Sequence, residues 1–377
     1  MKHIERVALP SPSAGTTRAL VFHRYGREGA TPKAYIQASL HADEVPAMLV
    51  AHHLVRLLDE AEAAGRIRGE VVVLPVANPI GLDQEVGGTH LGRHDLAGGG
   101  NFNRNWPDLS DAVAARVEGN LGDDEAKNEH LVRKTLAEAA AAIEARGALG
   151  AMRRAIVARA ADAAVVLDLH CDSEAMLYLY LSRAAEDWRA GEDLLAHTRA
   201  AWMLLSEDPG GQSFEDVMSG TWRKLKARFP AHPLPRGCLA STLEYRGQSD
   251  ADDTIAQRDA ANLMRFLAGR GVLDGAESTP ATKGEAIALE AVDVVRAPAA
   301  GLVVLTAALG QRVKAGEIVA ELIDLDDPAA PRTALATRTD GQVFSHLRDR
   351  LVRAGAPVVK IAGRVPLPGR TGYLLED

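Results

Sequence analysis

An α/β fold, a sheet covered by helices on both faces and followed by a smaller unit of strands, is what the sequence predicts. Three observations carry that expectation. From Ala34 onward, short β-rich runs alternate with long helical stretches, the pattern of strand and crossover helix. Two of the runs, VVVLPV and AVVLDL, are continuously apolar, as strands buried on both sides are. After about Gly271 the long helices stop, and short strands and turns replace them.

In order, AYIQASLH reads as a strand, VPAMLVAHHLVRLLDEAEAAG as a helix and EVVVLPVAN as the next strand. Between Gly87 and Pro107 the segment GGTHLGRHDLAGGGNFNRNWP has little apolar periodicity. It is too long for a plain connector and is a candidate binding loop. Residues from about 127 to 163 are Ala- and charge-rich and predict helix. AAVVLDLH and LASTLEY predict two more strands, and a helix from about 253 to 268 follows the second. The strands VVVLPV and AVVLDL end in polar residues, which would emerge at a sheet edge, where ligands gather in such folds. The expected division is 1–270 as the large unit, 271–285 as a linker and 286–377 as the small β unit. That unit contains two similar passages of strand, turn and strand, GLVVLTAALGQRVKAGEIVAELIDLDDP and GQVFSHLRDRLVRAGAPVVKIAG. No tandem repeat suggests a solenoid.

Composition narrows the partners. The 377 residues are 47% apolar, ample for a sizeable core. Lys and Arg total 43 against 51 Asp and Glu, and the net charge of −8 argues against nucleic acid or an anionic membrane as the main partner. Cys171 and Cys238 are too few for a disulfide framework. The start lacks the apolar stretch of a secretory signal and no apolar run spans a bilayer, so we read the protein as cytoplasmic. Homo-oligomerisation is left open.

The chemistry gathers at strand ends. His41 and Glu44 follow AYIQASL and open the next helix, so a tight turn would bring both over one point. H-x-x-E alone means little, but His170 ends AVVLDLH, and a His-Glu-His set leaves zinc an open position for water. Alone, His170 reads equally well as a hydrogen-bonded core histidine. Asp168, on the same strand face, would support a ligand from behind or cap a nearby backbone. Glu244 in STLEYRG is the candidate base, to accept a proton from a metal-activated water and deliver it to the leaving amine; a solvated strand-end charge is the plainer alternative. In the loop, Asn103 and Arg104 form a donor pair suited to a carboxylate. Arg93 would polarise the scissile carbonyl or stand as a surface Arg. Phe102 and Trp106 are expected to anchor the loop by burial, and His90 and His94 are weaker metal candidates.

SLHADE, VANPIGLD, NFNRNW, LDLHCDS and STLEYRG, in that order, resemble the succinylglutamate desuccinylase/aspartoacylase branch of the metallocarboxypeptidase superfamily. The resemblance spans about 34 to 270 and implies a zinc carboxypeptidase-like mixed sheet flanked by helices. It also implies one Zn2+ per chain on His41, Glu44 and His170, a substrate carboxylate on Asn103 and Arg104, Glu244 as general base and Arg93 as carbonyl polariser. Peptidases of this superfamily carry a substrate-contacting Tyr late in the domain; Tyr178, Tyr180 and Tyr245 are present, and none sits in a motif that assigns it that role. The region after about 286 resembles the barrel-sandwich fold of biotinyl and lipoyl carriers. Its hairpin reads IDLDDP, with Asp324, Asp326 and Asp327 where a carrier needs a modified Lys. The expected activity is hydrolysis of a small anionic amide, an N-acyl amino acid. A carboxypeptidase with the same machinery and a non-catalytic, metal-stabilised binding protein are the alternatives; an intact Glu244 beside intact ligands disfavours the last.

Overall fold

The computed structural model describes residues 2–182, 188–207, 210–275, 280–281 and 283–375. Nine strands form the main sheet. They are β1 (His3–Leu9), β2 (Arg18–Gly26), β3 (Lys33–Ala38), β4 (Glu70–Leu74), β5 (Val165–Asp172), β6 (Tyr178–Ser182), β7 (Trp202–Ser206), β8 (Leu239–Gly247) and β9 (Glu285–Ala288). Their order is β1-β2-β4-β3-β5-β8-β6-β7-β9. The centre, β4-β3-β5-β8, is parallel, while β1-β2, β2-β4 and β8-β6 pair antiparallel. The sheet is therefore mixed, as expected.

Strand periodicity sorts the core onto two faces. Val165, Leu167 and Leu169 of β5 pack in one cluster with Leu54 and Leu58 of the helix Val45–Ala63 and Leu263 and Phe266 of the helix Asp253–Gly269. Val166 points the other way, into a cluster with residues of the helices Ser110–Val117, Glu125–Ala141, Gly147–Ala160 and Phe214–Arg228. Asp168 and His170 continue the Val166 face.

The single helix expected over 127–163 is instead two, Glu125–Ala141 and Gly147–Ala160, which pack on each other. Unbroken, it would be about 55 Å long. Gly147 adopts φ +65°, a left-handed conformation open to glycine at little cost, and the chain reverses there so that both halves cover the sheet.

Residues 276–279 and 282 of the expected linker lie outside the described residues. β9, which straddles position 286, pairs parallel with β7 at the edge of the main sheet. The following strands form two small sheets. One runs Thr333–Ala336, Ile318–Ile323, Gly301–Leu305, Leu351–Val352; the other contains Gly341–His346, Pro357–Gly363 and Val292–Arg296. Val303, Val319, Leu322, Val343 and Ile361 share the core between them. Glu174–Ala175, just beyond β5, adds antiparallel to Gly341–His346 and so carries Ser345 and Lys360 to the end of β5. Among the described residues no helix is long and apolar enough to cross a membrane.

Candidate active site

β3 ends at Ala38, and the chain turns through Ser39 at φ +66°, a conformation uncommon outside glycine. The Glu44 N–H donates to the His41 carbonyl at 3.2 Å, and the next helix begins at Val45 with Pro46 in its first turn. His41 and Glu44 therefore project side by side. Gly92 presses on this turn: its carbonyl accepts the Ala42 N–H at 3.1 Å, and a Cβ there would stand 2.1 Å from the Asp43 nitrogen. Only glycine permits that approach.

His41 Nδ1 lies 2.9 Å from Glu44 Oε1, and His170 Nδ1 lies 2.7 Å from Glu44 Oε2. One ligand atom from each of the three residues falls within 4.8 Å of the others, and all three residues are buried. Their outer nitrogens face acceptors. His41 Nε2 donates to Asn101 Oδ1 at 2.9 Å, an oxygen that also accepts the Asn103 N–H at 2.8 Å, which leaves the Nδ1 lone pair facing inward. His170 Nε2 is 3.0 Å from Asp168 Oδ2, too bent for a hydrogen bond as it stands. Two imidazoles, one of them held from behind by Asn101, and one carboxylate fit a zinc ion.

Burial opposes ionisation of Glu44, yet His170 and His41 outweigh it and hold this carboxyl well below the usual range. Burial, helped by Arg93, favours neutral His41, the form a metal requires. Burial also works against a charged His170, but Asp168 and Glu44 prevail and raise its pKa, so a bound cation must displace a proton there.

Glu244 on β8 stands opposite His170 of β5 on one side and Tyr178 of β6 on the other. Its Oε2 is buried without a hydrogen-bond partner. Burial, reinforced by the charge of Glu44, pushes its pKa up to about 8. Arg93 Nη1 reaches His41 Nδ1 at 3.2 Å and Glu44 Oε1 at 3.3 Å. Asn103 Oδ1 accepts the Phe214 N–H at 2.8 Å, and Arg104 Nη1 donates to the Asn103 carbonyl at 2.8 Å. Phe102 and Trp106 are buried and pin this stretch of the loop. Thus His41, Glu44, His170, Glu244, Arg93, Asn103 and Arg104 all line one cavity of about 70 Å³. His90 and His94 do not; His90 Nε2 instead donates to the Gly81 carbonyl at 3.0 Å. Tyr178 and Tyr180 line the cavity, whereas Tyr245 packs in the core on the opposite face.

Several residues at the site escaped sequence reasoning. Lys360 closes one wall, with its Nζ donating to Asp172 Oδ2 at 2.8 Å. The same oxygen accepts from the hydroxyls of Tyr178 and Ser345, each at 2.8 Å. Near the C-terminus, Leu375 lines the cavity and the Tyr373 hydroxyl accepts from Arg104 Nε at 2.5 Å. Glu215, in the first turn of the helix Phe214–Arg228, also lines it. A lone Lys inside the apolar run PVVKIAG was a signal for Lys360; an acid early in a helix is too ordinary to mark Glu215.

Residues 30–269 match the family model of the succinylglutamate desuccinylase/aspartoacylase catalytic domain. Among solved structures, a protein described as belonging to that family from Shewanella amazonensis SB2B is similar at TM-score 0.82 and 27% identity, covering 96% of this chain and 98% of that one. Another, from Shewanella frigidimarina NCIMB 400, shares the fold at TM-score 0.83 and 23% identity over 96% and 97%. A succinylglutamate desuccinylase/aspartoacylase from Rhodobacter sphaeroides does so at TM-score 0.67 and 17% identity over 97% and 96%. No curated protein matches the sequence.

Proposed function

We propose, from the premise that this chain belongs to the succinylglutamate desuccinylase/aspartoacylase family, that it is a zinc-dependent deacylase of small N-acyl amino acids. One observation carries the reading: three convergent ligand atoms and the unpartnered Glu244 Oε2 share a single small cavity.

His41, Glu44 and His170 would hold one zinc ion per chain. Bound there, zinc would supply a Lewis acid for the amide carbonyl and lower the pKa of the attacking water. Glu244 takes the proton of that water at Oε2 and passes it to the amide nitrogen as the C–N bond breaks, releasing a carboxylic acid and an amine. A pKa raised by burial suits a group that must accept and then donate. Arg93 donates to the carbonyl oxygen as charge develops on it. Asn103 and Arg104 bind the α-carboxylate and so fix which face of the amide meets the base.

The cavity size and its wall of Lys360 and Leu375 support a small molecule over a peptide end. The test is hydrolysis by the zinc-loaded protein of a panel of N-acyl amino acids beside peptides of four or more residues. Release of free amino acid from the small amides is expected; faster cleavage of the peptides than of every N-acyl amino acid would sink the reading.

A further inference from the structure

Gln37 is a polar residue inside a buried strand. Its neighbours on β3, Tyr35, Ile36 and Ala38, are fully buried, and so is Gln37 itself. An amide so placed costs free energy unless its donors and acceptor are bonded. The register of the parallel pair β3-β5 sets Gln37 directly opposite Asp168. Gln37 Nε2 donates to Asp168 Oδ1 at 3.1 Å, and Gln37 Oε1 accepts from the Tyr35 hydroxyl at 2.9 Å. The Tyr35 ring in turn meets the Phe214 ring edge-on, with centroids 6.0 Å apart. Donated bonds therefore run from Tyr35 to Gln37 to Asp168, and each fixes the group that follows it.

This chain ends behind a candidate metal ligand. Asp168 Oδ2, the oxygen that Gln37 does not take, is buried without a hydrogen-bond partner and stands 3.0 Å from His170 Nε2, which also lacks one. A neutral imidazole that gives Nδ1 to a cation carries its single proton on Nε2, and that proton needs an acceptor behind the ring. A carboxylate anchored through one oxygen offers the other in a fixed direction, whereas an unanchored one turns readily about its terminal torsion. At His41 the acceptor behind the ring is Asn101, supplied by the loop. At His170 it is a carboxylate whose aim is set from β3.

We infer that Gln37, locked by Tyr35, is a positioning residue for His170: it aims Asp168 Oδ2 at Nε2 and thereby strengthens zinc binding. The inference rests on the zinc site of the deacylase reading above. It is tested by the zinc dissociation constant, from competition with a chromophoric chelator, in wild type, Gln37→Met and Tyr35→Phe. Met fills nearly the same space as Gln without its donor. Gln37→Met should weaken zinc binding about 10-fold to 100-fold, as losing the support behind a ligand does. Tyr35→Phe removes only the far end of the chain and should weaken it about 3-fold. Proton NMR of the zinc-loaded proteins separates positioning from a general loosening of the core. In Gln37→Met the His170 Nε2–H signal should move upfield, while the His41 Nε2–H signal, whose acceptor is Asn101, should stay in place. A dissociation constant unchanged in Gln37→Met, or equal movement of both signals, overturns the inference and leaves the deacylase reading standing. Zinc binding by wild type without hydrolysis of any N-acyl amino acid overturns the deacylase reading and leaves the role of Gln37 to the variants. No zinc binding by wild type overturns both. If Gln37→Met fails to fold, Tyr35→Phe decides, and an unchanged dissociation constant there overturns the inference.

Discussion

His41 and Glu44 stand three residues apart on one turn, and His170 and Glu244 face each other across adjacent strands, whereas Lys360 meets Asp172 across 188 residues and Tyr373 meets Arg104 across 269. The first group sits at the ends of β3, β5 and β8, strands that are paired on both sides within the main sheet. The second is delivered by the small sheets and the C-terminal segment, through the short strand pairing at Glu174–Ala175, one partly buried ion pair and a few side-chain contacts. The candidate site is thus set at strand ends in the middle of the main sheet, and the cavity wall is supplied by segments far away in the chain. Substitutions in the first region should abolish reaction with the fold intact, and those in the second should lower stability or affinity first.

The largest effect is expected from His170→Ala, which should take the protein from about one zinc per chain to almost none and remove activity with it. Metal analysis of the purified proteins checks this, and equal stoichiometry in the two would dismantle the ligand set. Glu244→Gln should retain the metal and lose about 10² to 10⁴ in kcat, because the amide keeps the shape and cannot take a proton. Near wild-type kcat in the zinc-replete variant would place the base elsewhere.

In the second region, Lys360→Met leaves the partly buried Asp172 without its cation and should cost about 2 kcal/mol of stability, measured by urea unfolding near neutral pH. Its pH dependence sharpens the point. Burial opposes ionisation of Asp172, yet Lys360 outweighs it and depresses the pKa. The stability this pair contributes is therefore present above the unfolded carboxylate value of about 3.9 and is lost as pH falls through the lower folded value. Wild type should show that acid-side slope and Lys360→Met a weaker one; identical slopes would mean the pair is not what fastens the wall. Arg104→Ala should have the smallest effect, a loss of about 10-fold to 100-fold in kcat/KM for substrates with a free α-carboxylate and much less for their amides, as loss of a charged hydrogen bond implies. An equal loss on both would reduce Arg104 to a support for the loop. Ending the chain before Ala286 is a poor probe of the wall, since it also removes most of β9 from the main sheet.

Local pattern was enough for the alternating elements, for the runs buried on both faces and for the convergence of His41, Glu44, His170 and Glu244 on one cavity, because strand periodicity and a tight turn determine where a strand-end side chain points. The loop residues Arg93, Asn103 and Arg104 were legible as chemistry but not as geometry. Their positions depend on contacts with Glu44, Phe214 and Tyr373, made by three separate segments. The break at Gly147 was hidden because helix propensity carries no information about how much sheet there is to cover. Asn101, Lys360 and Glu215 became functional candidates only through folding. Lys360 at least interrupts an apolar run, whereas Asn101 and Glu215 are ordinary in their own stretches of chain, and what distinguishes each is the His41 ring, the Asp172 carboxylate or the cavity that the tertiary structure sets beside it.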